Sequence, residues 1–283
     1  MTMTRIALVA AGALLLGACS SLDLAEKAVP ESADAQYAAS PANISSLTQV
    51  VSHNPNDPQA LNMRGSVFGA AGENSEALAD FNKAIALDPN FAQAYSNRGL
   101  IYAKTGKADL AIADYEKAIA LDKNYAQAYL GRGLVYKQKG QLMAALNDFN
   151  RAIAIRPDNA QAYYDRGQLY QSQGQHQFAI DDFTTAVGLA PQRAEPFVAR
   201  GLSYLAVQDY KAAASDLDNA VLVDPQNLQA WTSRGLAYEK LGDKEKAAGS
   251  YAKAININRD YAQATAGFSR VGGKLGETYQ TFN

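Results

Sequence analysis

Cysteine, histidine and tryptophan are almost missing from this 283-residue chain, which has one cysteine, two histidines and one tryptophan. A lone cysteine excludes an intramolecular disulfide framework, and His53 and His176 are too few and too far apart for a zinc site. Charge of either sign is in short supply as well. Twenty-six basic side chains stand against 28 acidic ones, with the signs interspersed, so the basic footprint of a nucleic-acid-binding protein is lacking. No nucleophile–base–acid set, phosphate-cradling glycine loop or paired-carboxylate site stands out from the sequence. The chain therefore reads as a non-enzyme without cofactor or metal. Apolar residues make up 48% of it, enough to bury a core.

The one long apolar run, Ile6 to Ala18, follows a single charge at Arg5. Its 13 residues fall short of the roughly 20 that a spanning helix needs. A charged start, a short apolar run and small residues before a cut site make residues 1–18 a secretory signal. The run ends Leu16-Gly17-Ala18-Cys19, which resembles the lipobox of bacterial lipoproteins. That resemblance implies cleavage after Ala18 and lipid on Cys19. It also implies an outer-membrane anchor facing the periplasm, since Ser20 rather than aspartate follows. Residues 19–40 are small, polar and interrupted by Pro30, and read as a tether. About 20 such residues reach at most ~70 Å.

Beyond the tether the sequence repeats. Arg64-Gly65, Arg98-Gly99, Arg132-Gly133, Arg166-Gly167, Arg200-Gly201 and Arg234-Gly235 recur every 34 residues, framing six units over 58–261 without insertion or deletion. Each unit carries two amphipathic runs around a turn that holds Gly72, Gly106, Gly140, Gly174, Gln208 or Gly242. In the first run a bulky residue at position 4, the glycine at position 8 and an aromatic at position 11 share one helical face. The second run sets alanine four residues before a large residue (Phe81, Tyr115, Phe149, Phe183, Leu217, Tyr251) and another three residues after it. Small residues on both runs let two backbones approach, so the glycine, which costs a helix about 1 kcal/mol, marks a helix contact.

Six units in phase resemble the tetratricopeptide repeat. The resemblance implies an all-α solenoid of six full helix–turn–helix repeats with partial units at both ends. Ile44, Leu47, Val50 and Val51 fit a lone second helix in a degenerate half-repeat at 41–57. A capping helix and tail follow at 262–283, the helix pattern continuing to about Arg270. Departures from the family pattern are Lys123 and Arg259 for a late proline, Gln208 for a turn glycine, and arginine at position 7, commonly leucine.

Those arginines have acidic counterparts at a fixed place in the second run: Asp80, Asp114, Asp148, Asp182 and Asp216, with Ser250 in the sixth unit. Together with Arg64, Arg98, Arg132, Arg166, Arg200 and Arg234 they form a structural ion-pair ladder. Pairing within a unit orphans Arg234, and pairing to the next unit orphans Arg64. Ser250 precedes Phe268, which stands where a seventh arginine would, and this favours pairing to the next unit.

In the family, first helices line a concave groove through positions 2, 5, 9 and 12. The candidate groove residues are Leu100, Leu130, Leu134, Tyr164, Val198, Leu202, Leu205 and Leu236, with glutamine at position 2 in five units. They either seat an apolar protein segment or lie half buried between helices, and the sequence leaves both open. The lysine–asparagine set with which chaperone-binding members hold a terminal carboxylate is missing, because Asn62, Ser96 and Leu130 occupy position 5. Lipobox and repeats together are similar to outer-membrane lipoproteins of the NlpI type. They imply an adaptor for envelope proteins such as a protease or peptidoglycan-remodelling enzymes. The alternatives are an assembly factor for a pilus or secretion channel, or a structural protein that self-associates as a homodimer.

Overall fold

The computed structural model describes residues 40–274 and 276–279; Cys19, the signal and nearly all of the tether lie outside them. The described residues form fourteen helices and no strand. Pro41–His53 comes first, alone. The first helices of the six repeats are Pro58–Ala70, Ala92–Lys104, Ala126–Gln138, Ala160–Ser172, Ala194–Ala206 and Leu228–Leu241. Their second helices are Asn74–Leu87, Ala108–Leu121, Leu142–Ile155, His176–Leu189, Tyr210–Val223 and Lys244–Ile257. Ala262–Arg270 closes the stack. None of these helices is long and apolar enough to cross a membrane.

Backbone chemistry sets the joints. The five turn glycines adopt φ between 71° and 83°, the left-handed region that costs glycine least. Gln208 takes the same conformation at φ 64° without that freedom. Asp57, Asn159 and Asn227 accept hydrogen bonds from backbone N–H groups at the starts of their helices. Phe91, Tyr125 and Tyr261 hold the equivalent place without a side-chain cap and pack their rings into the core instead.

Each position-8 glycine lies against the large residue of its own second helix. A Cβ on Gly65 would come within 2.8 Å of the Phe81 ring, one on Gly167 within 2.7 Å of Phe183, and one on Gly235 within 2.7 Å of Tyr251. The alanines that flank the large residues are fully buried. Sequence reasoning set small residues against small ones; in the structure the glycine receives the ring directly. Tyrosine needs a second recess, because its hydroxyl reaches beyond the repeat. Tyr115 abuts Gly131, and Tyr251 abuts Gly267, each glycine at position 6 of the following first helix.

The arginine ladder pairs within repeats, which corrects the expectation of pairing to the next. Arg64, Arg98, Arg132, Arg166 and Arg200 each donate two hydrogen bonds of 2.6–2.8 Å to the aspartate 16 residues on. These hydrogen bonds, helped by Coulomb attraction, hold all five guanidinium groups above their ordinary pKa despite burial. The remaining nitrogen reaches back to the preceding repeat: Arg98 to Asn82, Arg166 to Asn150 and Arg200 to Thr184. Arg234 is not orphaned. Ser250 replaces its aspartate, and Asp218 of the preceding repeat supplies the carboxylate at 2.6 Å. At Arg98, Arg166, Arg200 and Arg234 the ladder thus joins both helices of a repeat to the second helix before it.

At the C-terminal end Gly272, at φ 78°, stops the last helix. The tail then folds back so that Tyr279 meets Phe268 edge-on at 5.7 Å between ring centroids.

Candidate functional site

First helices of successive repeats touch one another along the stack, whereas second helices make no comparable contact with the next second helix. The stack therefore curves toward its first helices, and its concave face is theirs. Polar side chains tie neighbouring first helices together across it. Asn97 donates to Asn62 at 2.9 Å, Lys137 to Gln168 at 2.7 Å, and Gln171 to Ser203 at 2.8 Å.

These contacts decide which candidate residues face outward. Leu130 and Val198, at position 5, are only 6% and 5% exposed. Leu130 packs with Ala145 and Phe149 and belongs to the core, which corrects its place in the groove. The physical reason is that position 5 faces the next first helix, as the Asn62–Asn97 bond shows. Position 9 faces the groove. Leu100 is 46% exposed, and Leu134, Leu202 and Leu236 are half buried, as are Tyr164 and Leu205.

Two adjoining cavities open along repeats four to six. The smaller, about 200 Å³, is lined by Tyr164, Gln168, Gln171, Glu195, Val198 and Leu202 among others. The larger, about 580 Å³, is lined by Leu202, Leu205, Leu236, Tyr251, Tyr261, Gln263 and Arg270 among others. Leu202 and Gln229 border both, so the two adjoin along one groove whose larger part is mainly apolar and whose smaller part is mainly polar. Val198 is the floor of the smaller cavity rather than an exposed contact.

Beside the smaller cavity lies a polar group that sequence reasoning missed. Asp165, 3% exposed, accepts from the Gln161 amide at 3.1 Å, and the same amide's oxygen accepts from Arg193 at 2.7 Å. Burial pushes the Asp165 carboxyl up to about 6, against the hydrogen bond from Gln161 and the charges of Lys137 and Arg193. Burial likewise lowers the Lys137 ammonium and raises the Tyr164 phenol to about 12. The available signal was position 6, where the other repeats hold Met63, Asn97, Gly131, Ala199 and Ser233. No group of three or more histidine, cysteine, aspartate or glutamate side chains able to hold a metal occurs among the described residues.

Models of the TPR repeat match residues 65–106, 101–140 and 133–174, and models of the tetratricopeptide repeat match 160–193 and 198–264. The chain belongs to the tetratricopeptide repeat family. No curated protein matches it. Among solved structures it is similar to the Cut9–Hcn1 heterotetramer of the APC/C, with a TM-score of 0.67, 21% identity and 80% of this chain covered. It spans 44% of that longer chain. It is also similar to YrrB, described as a TPR protein with an unusual peptide-binding site, with a TM-score of 0.58 and 27% identity. That match covers 66% of this chain and 96% of YrrB. PilF of Pseudomonas aeruginosa shares the fold, with a TM-score of 0.69 at 16% identity over 75% of this chain and 97% of its own. The TPR fold is that of a protein-binding scaffold.

Proposed function

We propose that this TPR protein is a lipid-anchored adaptor of the periplasm, holding an apolar segment of an envelope protein in its concave groove. The observation that carries the reading is the apolar floor of Leu202, Leu205 and Leu236 in the larger cavity, on repeats five and six. YrrB, 27% identical over most of the repeats, supports a peptide as the occupant through the peptide-binding site its description names. The envelope address rests on Leu16-Gly17-Ala18-Cys19 and on the likeness to NlpI-type lipoproteins. Gln229, at position 2 and bordering both cavities, offers hydrogen bonds to a bound backbone, with the amide oxygen of Gln171, whose NH2 is spent on Ala199 and Ser203, and the leucines supply the apolar contact. The groove needs no chemistry of its own, and the protein is read as a non-enzyme.

Full burial of a leucine is worth about 1.5–3 kcal/mol, and half-buried leucines gain a fraction of that from a partner. Leu202→Ser with Leu236→Ser should weaken capture of an envelope partner by about tenfold or more, equivalent to roughly 1.4 kcal/mol. Helicity should survive the change, with a modest fall in Tm because Leu202 also packs against the core. Unaltered capture by a folded double variant would move the site off this floor. In the same experiment Cys19→Ser should abolish lipid labelling and release the chain from membranes; equal labelling would remove the anchor. Partners from a pilus or secretion channel, or only further copies of this chain, would redirect the reading.

A further inference from the structure

The position-9 row of the groove, Ser66, Leu100, Leu134, Gln168, Leu202 and Leu236, keeps its 34-residue register into the last helix and ends on Arg270. Position 2 ends in the same way on Gln263. Both residues line the larger cavity, and Arg270 is the one charged side chain among its described lining residues. The carboxylate that answers Arg270 is Glu239, which is not among the lining residues. Glu239 accepts from Nε and Nη2 of Arg270, both at 3.0 Å, and from the Tyr251 hydroxyl at 2.7 Å. The Arg270 hydrogen bonds, with that from Tyr251, hold the Glu239 carboxyl below its ordinary range. The guanidinium is thereby fixed in place through Nε and Nη2. Gln263 spends its amide oxygen on the Tyr261 hydroxyl at 2.9 Å, which leaves its NH2 as a donor.

We infer that this cavity takes the C-terminal residue of the partner segment, its apolar side chain on Leu202, Leu205 and Leu236 and its carboxylate on Arg270 and Gln263. The inference rests on the groove reading above and adds a direction to it. The bound chain ends against the capping helix Ala262–Arg270 and runs back over the sixth and fifth repeats toward the smaller cavity. A volume of about 580 Å³ is within the range of ligand sites. An internal apolar segment would bring only neutral amide carbonyls to the arginine, whereas a terminal carboxylate brings a full negative charge and shorter hydrogen bonds. This is a different device from the lysine–asparagine set missing at position 5, and it lies at the other end of the stack.

The test pans the full chain against two random hexapeptide libraries attached through their N-termini, one ending in a free acid and the other in a C-terminal amide. Apolar-ended peptides should be enriched from the free-acid library, and the best of them should bind at least tenfold more weakly as its amide. Arg270→Ala should bring the acid down to its amide twin while leaving the amide unchanged. Because Arg270 also holds Glu239, melting curves accompany that variant, and Gln263→Ala, free of that bond, should take part of the same loss. Equal enrichment from both libraries would overturn the inference and leave the groove reading standing. A preference for the acid that survives in folded Arg270→Ala overturns it too. Enrichment from neither library, with or without binding of a fatty acid such as laurate, would also overturn it.

Discussion

Alanine at Gly133 brings its methyl group to 2.8 Å from Cε1 and 2.9 Å from Cδ1 of Phe149, and to 3.2 Å from Cβ of Asp148. Carbon atoms settle at about 3.5–4.0 Å, so the ring must retreat by several tenths of an ångström. It has nowhere to go. Phe149 is fully buried among Leu130, Ala145, Ala152 and Leu169, and Asp148 is held by both nitrogens of Arg132. Overpacking of this kind costs about 1–3 kcal/mol, and the better helix propensity of alanine returns about 1 kcal/mol. Gly188 supplies the control, since a Cβ there meets nothing within 4 Å. Alanine at Gly188 should therefore gain up to about 1 kcal/mol, whereas alanine at Gly133 should lose about 1 kcal/mol and leucine more. For 150–250 residues, 1 kcal/mol shifts Tm by about 2–4 °C. Thermal unfolding of the full chain followed by circular dichroism should thus move the two alanine variants in opposite directions. A Gly133→Ala variant that melts as high as Gly188→Ala would refute the reasoning that glycine is retained for the ring.

The turn at Gln208 offers the reverse change. Its left-handed backbone costs a side-chain-bearing residue about 1–2 kcal/mol, so Gln208→Gly should raise stability by about 1 kcal/mol, and an unchanged or lower Tm would contradict the strain. The buried Asp165 sets a pH dependence. Its carboxyl titrates near 6 when folded and about two units lower when unfolded, so the folded chain binds the extra proton. Stability should fall as pH rises from about 4 through 6, by up to about 3 kcal/mol. Asp165→Asn should flatten that slope in denaturant titrations across the range. A slope that survives in the asparagine variant would assign it to another group.

The 34-residue frame was legible because close packing leaves few choices. Glycine beneath a ring and alanine on either side of it recur wherever two helices meet at that distance. The arginine partners were harder to read. A first helix lies between two second helices, and each offers a polar group 16 residues away, so spacing alone does not rank Asp114 ahead of Asn82 as a partner of Arg98. The polar row at Asn82, Asn150, Thr184 and Asp218 was visible in the sequence, and it becomes meaningful only once the stacking is known. Leu130 was assigned to the groove by its position number, but first helices approach closely enough to bury position 5. Arg270 passed as an ordinary residue of the capping helix, since its role depends on Glu239, 31 residues away, fixing its guanidinium beside the cavity.

Partner contact on the concave floor can be read out directly. A photo-crosslinking benzophenone side chain placed at Leu236, on that floor, and at Leu222, 64% exposed on a second helix, tests it in living cells. Adducts with an envelope protein, identified by mass spectrometry, are expected from position 236 and none from position 222. Adducts from position 222 with none from position 236 would contradict it.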